Sequence, residues 1–363
     1  MNARQMRVLI TGGAGFVGAN LGVALAQRRS DWELVALDNL MRRGSELNLP
    51  RLREAGVEFV HGDVREPADL AAAGRFDAMV EGSAEPSVMA GLSDPSYLVQ
   101  TNLLGAFNCL ERARAEGAFV VFLSTSRVYP VAPQLDLALE ETETRFELAA
   151  RQPHPGAGPA GISEDFPLSG ARTFYGATKL AAEHLIEEYA ETCGLRAVVD
   201  RCGVIAGPWQ MGRVDQGVFS WWLLSHHFGR PLTYIGFGGG GKQVRDLLHV
   251  DDLVDLVEQQ LEDPEAWSGT VANVGGGREN SLSLLETTAL CRELTGNEIE
   301  IGPDPETRPG DVPIYLSDCS RLFAQTSWRP RRGPRETLAD VLAWTLANED
   351  AVSEALGFRT VGG

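Results

Sequence analysis

Apolar residues in the first half of the chain fall in short runs separated by helix-like stretches. Arg7-Val8-Leu9-Ile10-Thr11 reads as a short buried strand, and Glu33-Leu34-Val35-Ala36-Leu37 as the next, ending at Asp38. Val57 to His61 and the segment near Phe76 to Val80 give a third and a fourth. Helical patterns cover Pro67 to Ala73 and Pro95 to Glu116. A fifth strand, Phe119 to Leu123, runs into Ser124-Thr125-Ser126, and Arg196 to Arg201 returns as a sixth. Strands alternating with helices predict an α/β fold with a doubly wound parallel sheet. In such sheets ligands bind beyond the carboxyl ends of the strands, which puts Thr125 on the ligand edge.

Later in the chain, Val218 to Leu224 suggests a helix whose tryptophans are core or subunit contacts. Gln243 to Val250 alternates like a strand. The glycine run Gly236 to Gly241 before it is therefore a loop, because a dinucleotide turn needs a helix to follow. Residues 131–172 are too long for a plain connection, and Gln152 to Gly161 is rich in Pro, Gly and Ala. This insert reads as a lid, with surface decoration as the alternative. There is no internal repeat.

Two local patterns carry chemistry. Gly12-x-x-Gly15-x-x-Gly18 follows the first strand and opens a helix near Gly15. Glycines there permit a tight turn and close approach to a pyrophosphate, which then meets the helix N-terminus. Asp38 ends the next strand, where a carboxylate meets ribose hydroxyls and repels a 2′-phosphate. NAD is the cofactor this favours; Arg42 and Arg43 keep NADP as the lesser option. A solvated strand end is the plain alternative for Asp38. The second pattern is Tyr175-x-x-x-Lys179 on a helical stretch. The two sit one turn apart on one face. A phenol is a poor base at neutral pH, and a neighbouring ammonium favours its ionised form. The pair suits proton removal from a hydroxyl. An aromatic core contact beside a solvated lysine is the bland reading.

Composition narrows the partners. The 363 residues carry a net charge of −18, with a pI near 4.8 and 44% hydrophobic content. Such acidity disfavours nucleic acid and anionic membranes. An anionic ligand must be held by local arginines and backbone amides. Five scattered cysteines without Cys-x-x-Cys, no membrane-length apolar run and no signal-peptide pattern lead to the expectation of a reduced, cytoplasmic chain.

Taken in order, Gly12-x-x-Gly15-x-x-Gly18, Asp38, Ser124-Thr125 and Tyr175-x-x-x-Lys179 resemble the extended short-chain dehydrogenase/reductase superfamily. Within it, four stretches resemble the CDP-paratose 2-epimerase (CDP-tyvelose epimerase) family. They are Asp38-Asn39-Leu40 with Arg43-Gly44 and Asn48-Leu49; Glu141 to Phe146 in the insert; Asp215-Gln216-Gly217; and Gly241 to His249, supported by Asn280 to Glu286. The resemblance implies a Rossmann domain over 1–203, carrying the lid-like insert 131–172. A smaller nucleotide-sugar domain over 204–363 would follow, with some chain exchange between the two. It implies bound NAD, held by Gly12, Gly15, Phe16, Val17, Gly18, Asp38, Asn39, Arg43, Asp63, Val64 and Ser124. Tyr175 becomes the base, Lys179 a ribose contact that lowers the phenol pKa, and Thr125 the third member. Arg145, Gln216, Arg245 and Arg308 would face a nucleotide-sugar, a CDP-sugar first, with a surface salt bridge as the plain alternative for either Arg245 or Arg308. A homo-oligomer (dimer or tetramer) and no metal are also implied. His249 with Asp251-Asp252 looks like a metal cluster, but the acids are expected to cap the helix from Leu253 to Leu261.

The expected activity is epimerisation without net redox, at C2 of CDP-paratose. The rivals are a UDP-sugar 4-epimerase, another nucleotide-sugar epimerase or dehydratase, and a non-catalytic NAD-binding regulator. Ser126-Arg127 stands where 4,6-dehydratases carry Asp-Glu. Departures from the superfamily pattern are Glu81-Gly82-Ser83-Ala84 in place of His-Leu-Ala-Ala, Val204 and Ala206 before Gly207-Pro208, and Trp209 where arginine is frequent.

Overall fold

A computed structural model of the chain describes residues 5–212 and 216–358. Asp215 lies outside the described residues. Two compact units are present. The first is Met1–Val128 with Phe174–Arg201 and Leu253–Val271; the second is Tyr129–Thr173 with Cys202–Asp252 and Ala272–Gly363. The expected division near residue 203 differs from this in where the insert falls: it belongs with the second unit. Residues 253–271 return to the first, an exchange of chain between the two units. The second unit is also comparable in length to the first rather than smaller.

A seven-stranded sheet runs in the order Val271–Val274, Ala197–Cys202, Phe119–Thr125, Ala78–Glu81, Met6–Thr11, Trp32–Asp38, Glu58–His61. Val8 pairs in parallel with Leu34 on one side and Ala78 on the other. The first strand therefore lies inside the sheet, and the order of strands reverses beside it, the arrangement that opens a ligand crevice at the strand ends. Apolar runs such as Val8-Leu9-Ile10 and Val120-Val121-Phe122 are buried on both faces, as a helix-covered parallel sheet requires. Leu9, Val35, Met79, Phe122, Leu110 and Ile186 belong to one continuous core. The edge strand Val271–Val274 is the one sheet member the apolar pattern did not single out.

The stretch expected as one helix from Pro95 to Glu116 is helical throughout but widens into a π-turn at Gln100–Leu104. Within that turn Asn102 is held by its side chain: Oδ1 accepts from Glu85 N at 2.8 Å and Nδ2 donates to Glu85 O at 3.0 Å. Such bulges commonly lie beside functional sites. No helix among the described residues is long and apolar enough to cross a membrane.

In the second unit Val244–His249 pairs with Val204–Ala206, Ser281–Ser283 and Ile314–Tyr315. The helix Val218–His227 buries Phe219, Trp222 and Leu223 in that unit's own core with Leu338 and Val341. Trp222 Nε1 donates to Thr288 Oγ1 at 2.9 Å and its ring stacks on Tyr234, so it is a packed core residue. The insert folds as two short hairpins, Leu139–Glu141 with Phe146–Leu148 and Ala157–Gly158 with Gly161–Ile162. It is fastened to the unit's sheet by Phe146 N to Lys242 O at 3.0 Å and Lys242 Nζ to Glu141 Oε1 at 2.8 Å.

Candidate active site

The glycine turn is shaped by close backbone approach. Gly12 has φ +65°, and a Cβ on Gly18 would lie 2.3 Å from Gly12 O. Only glycine at 18 lets the helix start tight against the turn. That helix, Phe16–Arg28, has Gly15 as its N-cap and no side-chain cap, so side chains leave the first-turn N–H groups to a ligand. This cradle fits a dinucleotide pyrophosphate. Asp38 sits beside it: one carboxylate oxygen accepts from Ala14 N at 3.1 Å, the other from Leu40 N at 2.8 Å. Burial pushes the Asp38 carboxyl above its usual range, against the pull of these backbone bonds. Leu40 has φ +56°, an uncommon conformation for a leucine and a local strain of the kind found at binding sites.

Asn39 Nδ2 donates to Asp63 Oδ2 at 2.9 Å, joining two expected cofactor residues. Arg65 also grips Asp63 and holds its carboxyl down to about 2. Val64 is buried against Gly105, where a Cβ would come within 2.7 Å of its side chain, and Asn108 Nδ2 donates to Val64 O at 3.0 Å. Arg43 lies just before the turn Ser45–Asn48, and Asn48 Nδ2 reaches Ala14 O at 2.9 Å.

Tyr175 occupies the first turn of the helix Phe174–Cys193 and is half-buried; Lys179, one turn on, is buried. A Cβ on Gly176 would lie 1.9 Å from Arg127 O. The helix therefore presses its start against the turn that follows Thr125. Thr125 is buried and its Oγ1 accepts from Arg127 N at 3.2 Å, a local backbone bond that leaves the hydroxyl proton to be donated elsewhere. Ser124 Oγ donates to Glu183, which also takes Arg201 Nε at 3.1 Å and Nη2 at 2.7 Å. This buried network locks Ser124, the Tyr175 helix and the strand Ala197–Cys202 together. Lys179 Nζ lies 3.3 Å from Glu81 Oε2 and 4.1 Å from the centre of the Phe122 ring.

Of the expected substrate residues, Arg145, Gln216, Arg245 and Arg308 lie in the second unit, where Arg145 and Arg245 are engaged by side chains and backbone. Arg145 bonds Ser281 Oγ at 2.6 Å and ion-pairs with Glu147 at 2.9 Å and Glu286 at 3.3 Å. Arg245 donates to Asp311 Oδ1 at 2.6 Å, Val312 O at 2.7 Å and Val244 O at 2.7 Å. Asp311 follows Arg308-Pro309-Gly310, so Arg245 ties down the loop that carries Arg308. Gln216 has a buried Nε2 without a partner among the described residues. The acids after His249 are not caps as expected. The helix Val250–Glu262 begins before them, and Asp252 accepts from Arg331 N at 3.1 Å, Arg332 N at 3.0 Å and Arg332 Nη1 at 2.7 Å. His249 Nδ1 accepts from Asp251 N at 3.0 Å.

Sequence reasoning noticed Glu81 only as a departure and did not see its pairing. A lone acid ending the apolar run Ala78-Met79-Val80 was the available signal. Glu183, Arg201 and Asn102 were missed because their partners lie far away in sequence.

Residues 8–275 match the model of the NAD dependent epimerase/dehydratase family. The chain belongs to that family. It is an NAD-dependent enzyme of the extended short-chain dehydrogenase/reductase type, as the motifs led one to expect. The CDP-paratose 2-epimerase of Salmonella typhi is 30% identical over 352 residues, covering 94% of this chain and 99% of that protein. The dTDP-glucose 4,6-dehydratase of Mycolicibacterium smegmatis is 30% identical over 353 residues, covering 95% and 94%. The Thermus thermophilus UDP-glucose 4-epimerase, solved with NAD, superposes with a TM-score of 0.76 at 28% identity, covering 93% of this chain and 98% of that one.

Proposed function

We propose that this enzyme is a nucleotide-sugar epimerase that inverts C2 of CDP-paratose to give CDP-tyvelose. The observation that carries the reading is Tyr175, half-buried on the helix turn that abuts the end of the Thr125 strand, with a buried lysine one turn on. Tyr175 takes the proton from the sugar hydroxyl and returns it after the sugar has turned over. Thr125 donates to the same sugar oxygen. NAD, when bound, would supply the hydride acceptor and donor for that carbon. Gly12, Gly15, Phe16, Val17 and Gly18 would hold the pyrophosphate, Asp38 the adenosine ribose, and Asn39, Arg43, Asp63, Val64 and Ser124 the remaining cofactor surface.

The nucleotide-sugar is assigned to the second unit, with Arg145, Gln216, Arg245 and Arg308 as its contacts. Arg245 would have to exchange Asp311 for a diphosphate oxygen, a substitution that suits the fixed fork of a guanidinium. Similarity to the Salmonella typhi CDP-paratose 2-epimerase over nearly both full lengths supports the choice of sugar. The equal identity to a 4,6-dehydratase favours a second reading. Ser126-Arg127 after Thr125 weighs against it, since that position then lacks an acid and base pair for C5 and C6.

The test is incubation with CDP-paratose and NMR of the C2 configuration, beside UDP-glucose and dTDP-glucose controls. No CDP-tyvelose would reject the sugar assignment. Tyr175→Phe should abolish turnover while NAD stays bound, and a fully active variant would remove Tyr175 from the base role.

A further inference from the structure

Glu81 ends the strand Ala78–Glu81, in register with Thr11 on one neighbour and Phe122 on the other. It is therefore next to the strand that enters the glycine turn: Gly82 N donates to Thr11 Oγ1 at 3.3 Å, and Gly12 packs on Gly82. Its carboxylate is buried, with 1% of the side chain exposed against 2% for Lys179. Ser83 Oγ donates to one oxygen and Lys179 Nζ lies 3.3 Å from the other. Below the ammonium is the face of Phe122. Both charges also act on the Cys109 thiol, on the helix Gly105–Glu116. Burial pushes that thiol well up, so it stays neutral.

A buried ion pair acts on its surroundings differently from a bare cation. Charges inside a protein are poorly screened, so a carboxylate beside the ammonium cancels much of its field at a third group. The lysine that is assigned to acidify Tyr175 thus does so against an opposing charge. The geometry points to Glu81 as a positioning residue: it fixes the Lys179 ammonium over Phe122 and offsets part of the charge that reaches the Tyr175 phenol. The inference rests on the reading of Tyr175 and Lys179 as base and activator. It adds a residue that acts through the lysine.

The test measures ionisation of Tyr175 without needing turnover. Near-ultraviolet phenolate absorbance is titrated against pH for the full-length protein with NAD added, in the parent and in Glu81→Gln. Subtracting the same backgrounds carrying Tyr175→Phe isolates the Tyr175 signal. Removing the carboxylate should move its ionisation down by about one pH unit or more, the size expected for loss of a nearby like charge. A merely structural Glu81 would lower stability and leave that midpoint where it was, and that result overturns the proposal.

If Glu81→Gln fails to fold, Lys179→Met is compared with Glu81→Gln/Lys179→Met, which holds a neutral pair. Tyr175 should then ionise at lower pH in the double variant, and equal midpoints overturn the proposal. Failure of the underlying reading looks different: Tyr175→Phe keeps full turnover, whatever the Glu81 titrations show.

Discussion

Raising the pH from about 4 to about 8 should weaken the first unit, and the cause is one carboxyl group. Asp200 on the strand Ala197–Cys202 and Gln260 on the helix Val250–Glu262 are both fully buried. Gln260 Nε2 donates to Asp200 Oδ1 at 2.9 Å. Asp200 Oδ2 and Gln260 Oε1 have no partner among the described residues. Both are acceptors when the acid is ionised, and a proton on the carboxyl gives the pair the donor it lacks. Burial pushes Asp200 up from 3.8 to about 7, and the bond from Gln260 pulls the other way without overcoming it. Because the folded value is raised, the contribution to stability is fully present below about 3.8. It is lost as pH rises through about 7. At about 1.4 kcal/mol per pH unit, the interval corresponds to about 4 kcal/mol.

Asp200→Asn mimics the neutral acid, with an amide N–H₂ to donate to Gln260 Oε1. Urea unfolding followed over a pH series reads the effect. The variant should lose the decline between about pH 4 and 7 and exceed the parent by up to about 4 kcal/mol at pH 8. Asp63 and Glu111, both held down to about 2 by arginines, act in a lower window: their contribution is lost as pH falls toward 2. A decline that survives in Asp200→Asn, or a variant less stable than the parent at pH 8, would refute the reasoning.

Two further outcomes follow from particular contacts. Gly176→Ala places a methyl carbon 1.9 Å from Arg127 O, a backbone atom that cannot swing aside. The Tyr175 helix must back away, costing about 3 kcal/mol in urea unfolding and most of the turnover; near-parental values for both would mean the helix does not press on that turn. Arg145→Ala removes the bond to Ser281 and the pairs with Glu147 and Glu286, whose carboxylate also closes the capping box of the helix Leu284–Thr295. A loss of about 2 kcal/mol is expected. Unchanged stability with weakened nucleotide-sugar binding, read by calorimetry, would instead make Arg145 a ligand contact first.

What the sequence determined by itself is local. Glycines three apart after an apolar run specify a turn and a helix start, whatever surrounds them. Tyr175 and Lys179 share a helix face because a helix has a fixed pitch. The strands Met6–Thr11, Trp32–Asp38 and Phe119–Thr125 were legible because burial on both faces leaves no polar alternation to misread.

Tertiary structure decided which distant residues meet. Glu81 and Lys179 are 98 positions apart, and nothing near either one announces the other. The same holds for Ser124, Glu183 and Arg201, and for Asp252, which looked like a cap until Arg331 and Arg332 came to it. The insert reads as a lid in sequence. Its attachment through Lys242 and Ser281 depends on strands placed a hundred or more residues later. Backbone periodicity is set by neighbours along the chain, whereas a buried charge finds its partner only when the sheet and its helices have closed around both.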